Sequence, residues 1–325
     1  MSLRRRTMLG SLAAVLLSLA GSASAQETKL TVMVFQGPQN LPLLFAQSKG
    51  FFAKRGLAVD MKIAPNSDEL RNGLAEGRYQ IVHAGVDNAI AMAEVAKNDI
   101  AIVLGGDTGL NHLMVQADIN TIADLRGKTV IVDSPNTAFA FQLYKMLEQH
   151  GLKKGDYEVK SAGASFVRRD AMLKEKDFKA AILNPPFTVQ LKKAGLRDLG
   201  SAVKALGPYQ STTAFVMRPW AQANAEVLIK YIQAHIEGLR FATDPANKAE
   251  AVKLLAAAMK LEDDVAAESF ALYADPQEGF AKDGQIGLEG LRNVLKLRAE
   301  ITGGTAAEPE KYLDLSYHQR ALAGL

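Results

Sequence analysis

The chain of 325 residues contains no cysteine. This absence excludes disulfide bonds, thiolate catalysis and metal sites with cysteine ligands. A lipid anchor attached to an amino-terminal cysteine is excluded for the same reason. Stability must therefore come from a packed hydrophobic core, and we expect a protein that is free in its compartment.

An excess of either charge is also missing. The whole chain has 38 basic and 35 acidic residues, and three of the arginines lie in residues 1–25, which contain no acid. The remainder is balanced at 35 of each sign, so the composition gives no support for a nucleic-acid partner. There is no long apolar run after residue 25, and we expect a soluble mature protein. Residues 26–325 exceed one comfortable core, which favours two domains.

Chemistry-bearing motifs are equally scarce. The five histidines are scattered, without a pair at i, i+4 and without a His-Glu motif. The sequence contains no nucleophile elbow, phosphate-binding loop or dinucleotide fingerprint. We therefore expect no metal, no cofactor and no enzymatic activity.

The first 25 residues have the three-part layout of a secretory signal. Arg4, Arg5 and Arg6 form a basic start, an apolar run follows over residues 8–20, and small residues end at Ala25. The run is too short for a stable membrane anchor. The pattern predicts cleavage near Ala25 and export to the periplasm of a Gram-negative cell. The paired arginines also fit a twin-arginine signal loosely, so the export route stays open.

The remaining sequence alternates strand-like and helix-like segments. The predicted strands cover residues 30–35, 57–64, 79–86, 100–104, 128–133, 157–161, 180–184 and 212–218, with helices between them. After the last strand the patterns are helical. This order predicts an α/β protein of two lobes, each a mainly parallel sheet flanked by helices, with a helical carboxy-terminal tail. We place the first lobe at 26–113, the second at 114–210, and the return to the first lobe, with the tail, at 211–325.

Three segments carry a family resemblance. Residues 43–57, 73–87 and 123–130 resemble signature segments of type II periplasmic binding proteins. The most similar group binds sulfonates, taurine, nitrate or thiamine precursors, and is called NMT1/THI5-like. The resemblance covers most of residues 29–220. It implies a two-lobed receptor that closes on a small organic or anionic solute and delivers it to an inner-membrane ABC permease with a cytoplasmic ATPase. It also implies a monomer.

Two other functions stay open at this point. A periplasmic partner of a sensor system would bind the same kind of solute and report it to a receptor. One branch with this fold synthesises a thiamine pyrimidine, using its own histidine and a cysteine-rich motif. The absence of cysteine and the export signal both argue against that enzyme.

Ligands of open α/β sheets bind beyond the carboxyl ends of the strands, where helix N-termini offer free amides and partial positive charge. Two or three such termini suit a carboxylate, sulfonate or phosphate group. Asn136 and Thr137 are the strongest candidates, although either could simply cap its helix. The predicted ligand-binding residues are Gln36, Asn40, Ser67, Asp87, Asn88, Asn136, Thr137, Ala138, Phe139, Ser165, Asn184 and Phe187.

Two details of this site are less determined. Arg168 lies one turn into a predicted helix, where it either pairs with an anionic ligand or stabilises its lobe. We also expect the second lobe to supply the polar contacts and the first lobe the apolar wall, with Phe35 as one candidate for that wall. Asn184 stands where many relatives carry an acid, and a neutral amide there leaves the ligand class open.

Overall fold

A computed structural model describes residues 27–325. The predicted leader lies outside these residues. Ten strands form two sheets of five. The strands are β1 (Thr28–Val34), β2 (Leu57–Ile63), β3 (Ile81–Gly85), β4 (Ile100–Gly105), β5 (His112–Val115), β6 (Thr129–Val132), β7 (Glu158–Ser161), β8 (Phe178–Leu183), β9 (Arg197–Ser201) and β10 (Thr212–Met217).

Each sheet has one strand against the common direction. The first sheet has the order β2-β1-β3-β10-β4, and β10 pairs antiparallel with both of its neighbours. The second has the order β7-β6-β8-β5-β9, and β5 is its antiparallel strand. Four of the five strands in each sheet thus run the same way. The predicted class, a two-lobed α/β fold with mainly parallel sheets, is confirmed. We call the first sheet with its helices lobe 1 and the second lobe 2.

Helices connect the strands and continue after the last one. Those between strands are α1 (Leu41–Ser48), α2 (Ser67–Ala75), α3 (Val86–Glu94), α4 (Ala138–Gln149), α5 (Ser165–Lys174), α6 (Phe187–Lys193) and α7 (Ala202–Leu206). The tail contains α8 (Arg218–Ala223), α9 (Ala225–Thr243), α10 (Lys248–Met259), α11 (Asp263–Tyr273), α12 (Leu288–Thr302) and α13 (Ser316–Ala323). None of the helices in residues 27–325 combines the length and the hydropathy that a membrane span requires.

The chain passes from lobe 1 to lobe 2 between β4 and β5 and returns between α7 and β10. β5 and β9 are absent from the sequence prediction. β5 has only four residues and follows a glycine-rich segment, so it shows no full period of alternation. β9 (Arg-Asp-Leu-Gly-Ser) is a polar edge strand, and such strands lack the apolar signature of central ones.

The tail packs largely on lobe 1. Leu228, Tyr231 and Ile232 of α9 join the buried cluster beneath β1 and α1. Helices α9 and α1 approach so closely that a Cβ at Gly238 would lie 2.0 Å from the carbonyl oxygen of Pro42. Only glycine fits there without a shift of the backbone. Two tail helices also reach lobe 2, since α11 contacts α6 and α12 contacts α4.

Candidate functional site

A cleft lies where the carboxyl ends of strands from both lobes meet. Lobe 1 lines it with Phe35, Gln36, Gln39, Ser67, Gly85 and Asn88. Lobe 2 lines it with Asp133, Thr137, Ala138, Phe139, Ala164, Ser165, Phe166, Arg168 and Asn184. About 50 Å³ of the cleft is wide enough for the centre of a water molecule. One water needs roughly 10–15 Å³ by that measure, so the space suits a small group of a few atoms.

Four helices begin at the cleft. Ser67 opens α2, and the N-cap residues of α3, α4 and α5 are Gly85, Thr137 and Ala164. Thr137 caps α4, because its Oγ1 accepts from the amide of Ala140 at 3.4 Å. Gly85 and Ala164 have no side-chain oxygen with which to cap. The first turns of α3 and α5 therefore lack a side-chain cap where they adjoin the cleft, and such helix N-termini favour an acceptor or an anion beside them.

Arg168 is the buried cation of this site. Its side chain is fully buried, and its Nη atoms donate to the carbonyl of Gly163 at 2.5 Å, to Ser165 Oγ at 3.1 Å and to the carbonyl of Ile182 at 3.2 Å. The guanidinium carbon lies 4.7 Å from the ring centroid of Phe139. Nε has no hydrogen-bond partner. Burial lowers the pKa of Arg168, and no carboxylate of the described residues pairs with it.

Asp133 is the acid of the cleft. It directly follows β6, and Thr137 Oγ1 donates to its Oδ1. Thr137 Oγ1 also lies 3.0 Å from the carbonyl oxygen of Ser134, which is the second acceptor within its reach. The cleft thus holds one carboxylate and one guanidinium that are not directly paired with each other. Lobe 2 supplies both charges.

Eight of the predicted residues line the cleft together: Gln36, Ser67, Asn88, Thr137, Ala138, Phe139, Ser165 and Asn184. Their positions at strand ends and helix starts explain why one sequence rule finds them. Arg71 Nη1 donates to Asn88 Oδ1 at 3.1 Å, and Ser165 Oγ donates to Asn184 Oδ1 at 3.1 Å. Several of these side chains are therefore held in place by neighbours within their own lobe.

Four other predicted residues lie outside the lining. Asn40 is buried, and its Nδ2 donates to the carbonyl of Phe35 at 2.7 Å. Asn136 is exposed to solvent. Phe187 is buried in a cluster beneath lobe 2. Each follows a strand in sequence, but a strand end fixes only the loop and not the direction of every side chain in it.

Asp87 is the fourth of these residues and belongs to a buried ion pair. Its Oδ1 lies 3.4 Å from Nη1 of Arg298, and Tyr209 donates to its Oδ2 at 2.9 Å. Burial raises the pKa of Asp87, while Arg298 and Tyr209 lower it. Arg298 in turn stacks on Phe141 of α4, 5.3 Å from the ring centroid. Asp87 of α3 is thus linked to the tail through Arg298 and, through the stacking of Arg298 on Phe141, to lobe 2.

The division of labour between the lobes differs from the expectation. Lobe 1 presents mainly amides and hydroxyls, with Phe35 as its aromatic residue. Lobe 2 presents two phenylalanines, Phe139 and Phe166, as well as both charges. The lining residues that sequence reasoning left out of the site include Gln39 and Asp133, whereas it left Arg168 open between pairing with a ligand and stabilising its lobe. Asp133 ends a predicted strand, so the rule that selected Ser67 could have selected it.

A comparison with protein families shows to which family the chain belongs. The family model described as NMT1/THI5 like matches residues 37–249, which is more than half of the sequence. The chain belongs to the NMT1/THI5-like family. No curated protein matches this family member in sequence. The matched region spans both crossings between the lobes and every residue that lines the cleft except Phe35 and Gln36.

Solved structures share the fold of this NMT1/THI5-like protein. The periplasmic nitrate-binding protein NrtA of Synechocystis PCC 6803 has a TM-score of 0.77 at 12% identity, over 92% of this chain and 89% of its own. The aliphatic sulphonate-binding protein SsuA of Escherichia coli has a TM-score of 0.69 at 18%, over 88% and 92%. The desulfurization enzyme DSZB has a TM-score of 0.64 at 14% identity, over 90% of this chain and 99% of its own. At these identities the likeness is one of fold.

Proposed function

We propose that this protein is the periplasmic solute-binding component of an ABC importer. It captures a small organic or anionic solute between its lobes and delivers it to an inner-membrane permease with a cytoplasmic ATPase. The observation that carries the proposal is the cavity lined from both lobes by strand ends and by the first turns of four helices. Sulphonate- and nitrate-binding proteins with the same fold support it.

The mechanism is a shift between open and closed arrangements of the lobes. A solute that touches both lobes binds the closed form more tightly than the open one, and so raises the closed population. Arg168 and the first turns of α3 and α5 would favour an anionic group. Phe35, Phe139 and Phe166 would cover the apolar part of the same molecule. The closed pair of lobes then presents the surface that a permease recognises.

A thermal-shift screen tests this proposal. The mature chain, residues 26–325, is heated with small anions, sulfonates, aromatic acids and pyrimidines. Each compound is present at about 1 mM, which is on the order of physiological substrate concentrations. A solute bound only by the native state raises the melting temperature in proportion to RT ln(1 + [L]/Kd). We expect at least one of these compounds to raise the melting temperature. We also expect the protein that binds it to be a monomer. A panel without any stabiliser would count against a solute receptor.

The same experiment separates a receptor from an enzyme. DSZB shows that the fold also accommodates catalysis. A receptor returns its solute unchanged, so the stabilising compound is recovered after prolonged incubation and examined by mass spectrometry. Intact solute supports binding and transport. A changed mass would instead identify a reaction in the cleft.

A further inference from the structure

Tyr273 connects the two sides of the cleft. It is the last residue of α11, and its side chain is buried. Asn184 of lobe 2 donates from Nδ2 to the Tyr273 hydroxyl at 3.2 Å. The hydroxyl donates to Oε1 of Gln39 in lobe 1 at 3.3 Å. One phenol group therefore bonds a cleft residue of each lobe.

These bonds belong to a longer chain with one direction. Arg168 Nη2 donates to Ser165 Oγ, Ser165 Oγ donates to Asn184 Oδ1, and Asn184 passes to Tyr273 and then Gln39. Every hydroxyl in the chain accepts on one side and donates on the other, which strengthens successive bonds. Burial raises the pKa of Tyr273 well above its usual value, so the hydroxyl keeps the proton that it donates. Four of the five members line the cavity.

The ring of Tyr273 is fixed on the lobe 1 side. It packs in a cluster with Phe45 of α1 and with Phe270 and Phe280 of the tail, and its ring centroid lies 5.4 Å from that of Phe280. The bond with Gln39 stays within this body. The bond with Asn184 crosses to lobe 2. Separation of lobe 2 from this body therefore breaks the Asn184 bond.

Two ion pairs also join α11 to lobe 2, through helix α6. Lys192 and Lys193 of α6 reach Glu268 and Asp264 of α11, the former pair at 3.0 Å. All four side chains are well exposed, and exposed pairs contribute little. The buried hydrogen bond between Tyr273, at the end of α11, and Asn184, in the loop before α6, is thus the stronger link, because a buried polar group that loses its partner is left unsatisfied.

We propose that Tyr273 is a positioning residue that holds the lobes closed by fastening Asn184 of lobe 2 to Gln39 of lobe 1. The proposal rests on the proposed function in so far as closure is what retains a solute. It assigns to the tail a direct part in the cleft, because the residue that completes the hydrogen-bond chain lies on α11. The tail acts as a latch on the binding site.

The test measures the lobe separation without any solute. Because the native chain has no cysteine, Lys62→Cys on β2 and Lys160→Cys on β7 introduce two unique labelling sites at exposed positions. Single-molecule energy transfer between two dyes then reports the closed and open populations. In Tyr273→Phe the ring remains and only the hydroxyl is lost. We expect the closed-to-open ratio to fall about fivefold, the factor of one neutral hydrogen bond.

Tyr231→Phe is the matched control. Tyr231 is also buried, and its hydroxyl bonds His83 Nε2 at 2.9 Å within lobe 1. The control removes the same group from the same type of residue, but its bond does not cross between lobes. We expect it to lower the unfolding temperature and to leave the closed-to-open ratio unchanged.

A second variant approaches the bond from lobe 2. Asn184→Leu removes the amide, and the double variant with Tyr273→Phe should open the lobes no further than either single change. Additive effects, or a ratio unchanged in Tyr273→Phe, would overturn the latch. This readout stands whether or not the screen yields a solute. A screen without a stabiliser overturns the proposed function alone, while a shifted ratio still supports the latch.

Discussion

The two lobes share one strand order but treat buried charge differently. In each sheet three parallel strands are followed by one antiparallel strand and a last edge strand. Behind lobe 1, the buried carboxylate of Asp87 has a cationic partner in Arg298. In lobe 2, the buried guanidinium of Arg168 bonds carbonyl and hydroxyl oxygens. A buried charge with a direct partner stabilises the fold, whereas a buried charge without a directly paired counter-ion favours a ligand that supplies the opposite charge.

Loss of the paired cation should have the largest effect. Arg298→Met leaves Asp87 buried without its counter-charge, and breaking such a pair costs about 3–5 kcal/mol. We expect about 3 kcal/mol, because Tyr209 still donates to the carboxylate. Urea unfolding of the variant measures the change. Asp87→Asn in the same chain should recover part of the loss, and no recovery would show that Arg298 acts by packing on Phe141 instead.

Loss of the unpaired cation should cost less stability but more affinity. Arg168→Met breaks no direct ion pair, so we expect a loss of about 2 kcal/mol, mainly from its hydrogen bonds. Binding of an anionic solute should weaken about tenfold or more. Calorimetric titration measures the affinity. Arg169→Met is the control, since Arg169 pairs with its neighbour Asp170 away from the cavity lining. An equal loss of affinity in both variants would remove Arg168 from the site.

Acid should weaken lobe 1 through its buried histidines. His83 and His235 stack with ring centroids 5.1 Å apart, and burial lowers the pKa of His235 to about 3 and that of His83 well below its usual range. The unfolded chain takes up these protons near pH 6.5 while the folded chain does not. Stability is therefore complete above pH 6.5 and falls as the pH drops toward the folded value.

The variant His235→Gln isolates one histidine from other titrating groups. Asp107, for example, opposes the trend, because burial raises its pKa to about 6. Between pH 7 and pH 5 the wild type should lose about 2 kcal/mol more stability than the variant. Urea unfolding at the two pH values gives this difference. Equal losses would mean that His235 is protonated in the folded protein.

The smallest effect separates two neighbours at the start of α4. Thr137→Ala removes a cap and a cavity contact, and we expect about 1 kcal/mol of lost stability with weaker solute binding. Asn136→Ala, at an exposed position outside the lining, should change neither. Unfolding and titration of the two variants side by side measure the contrast. Weaker binding in Asn136→Ala would place the solute elsewhere along this loop.

Much of the fold was predictable because it depends on local patterns. Alternation of apolar residues and helix stop signals found eight strands and the helical tail. The helical pattern directly after β10 is divided at Asn224 in the structure, where the backbone leaves the helical region between α8 and α9. The edge strand β9 escaped prediction since its residues face water and need no apolar alternation.

The candidate site was predictable as a set of loops rather than as a set of side chains. Thr137 is the N-cap of α4 and Ser165 is the first residue of α5, so their direction follows from the helix that they begin. Asp87 also starts a helix but turns to Arg298, which is 211 residues away in sequence. No local pattern carries that information.

The sequence by itself determined the alternation of strands and helices and the loops at the strand ends, because each follows from residues close together in the chain. Tertiary structure alone decided which polar groups meet. Tyr273 reaches Gln39 across 234 residues, and Arg168 becomes a buried cation through carbonyls at the ends of other segments. Such contacts arise when separate segments pack, and burial then sets the strength of the charges and hydrogen bonds enclosed between them.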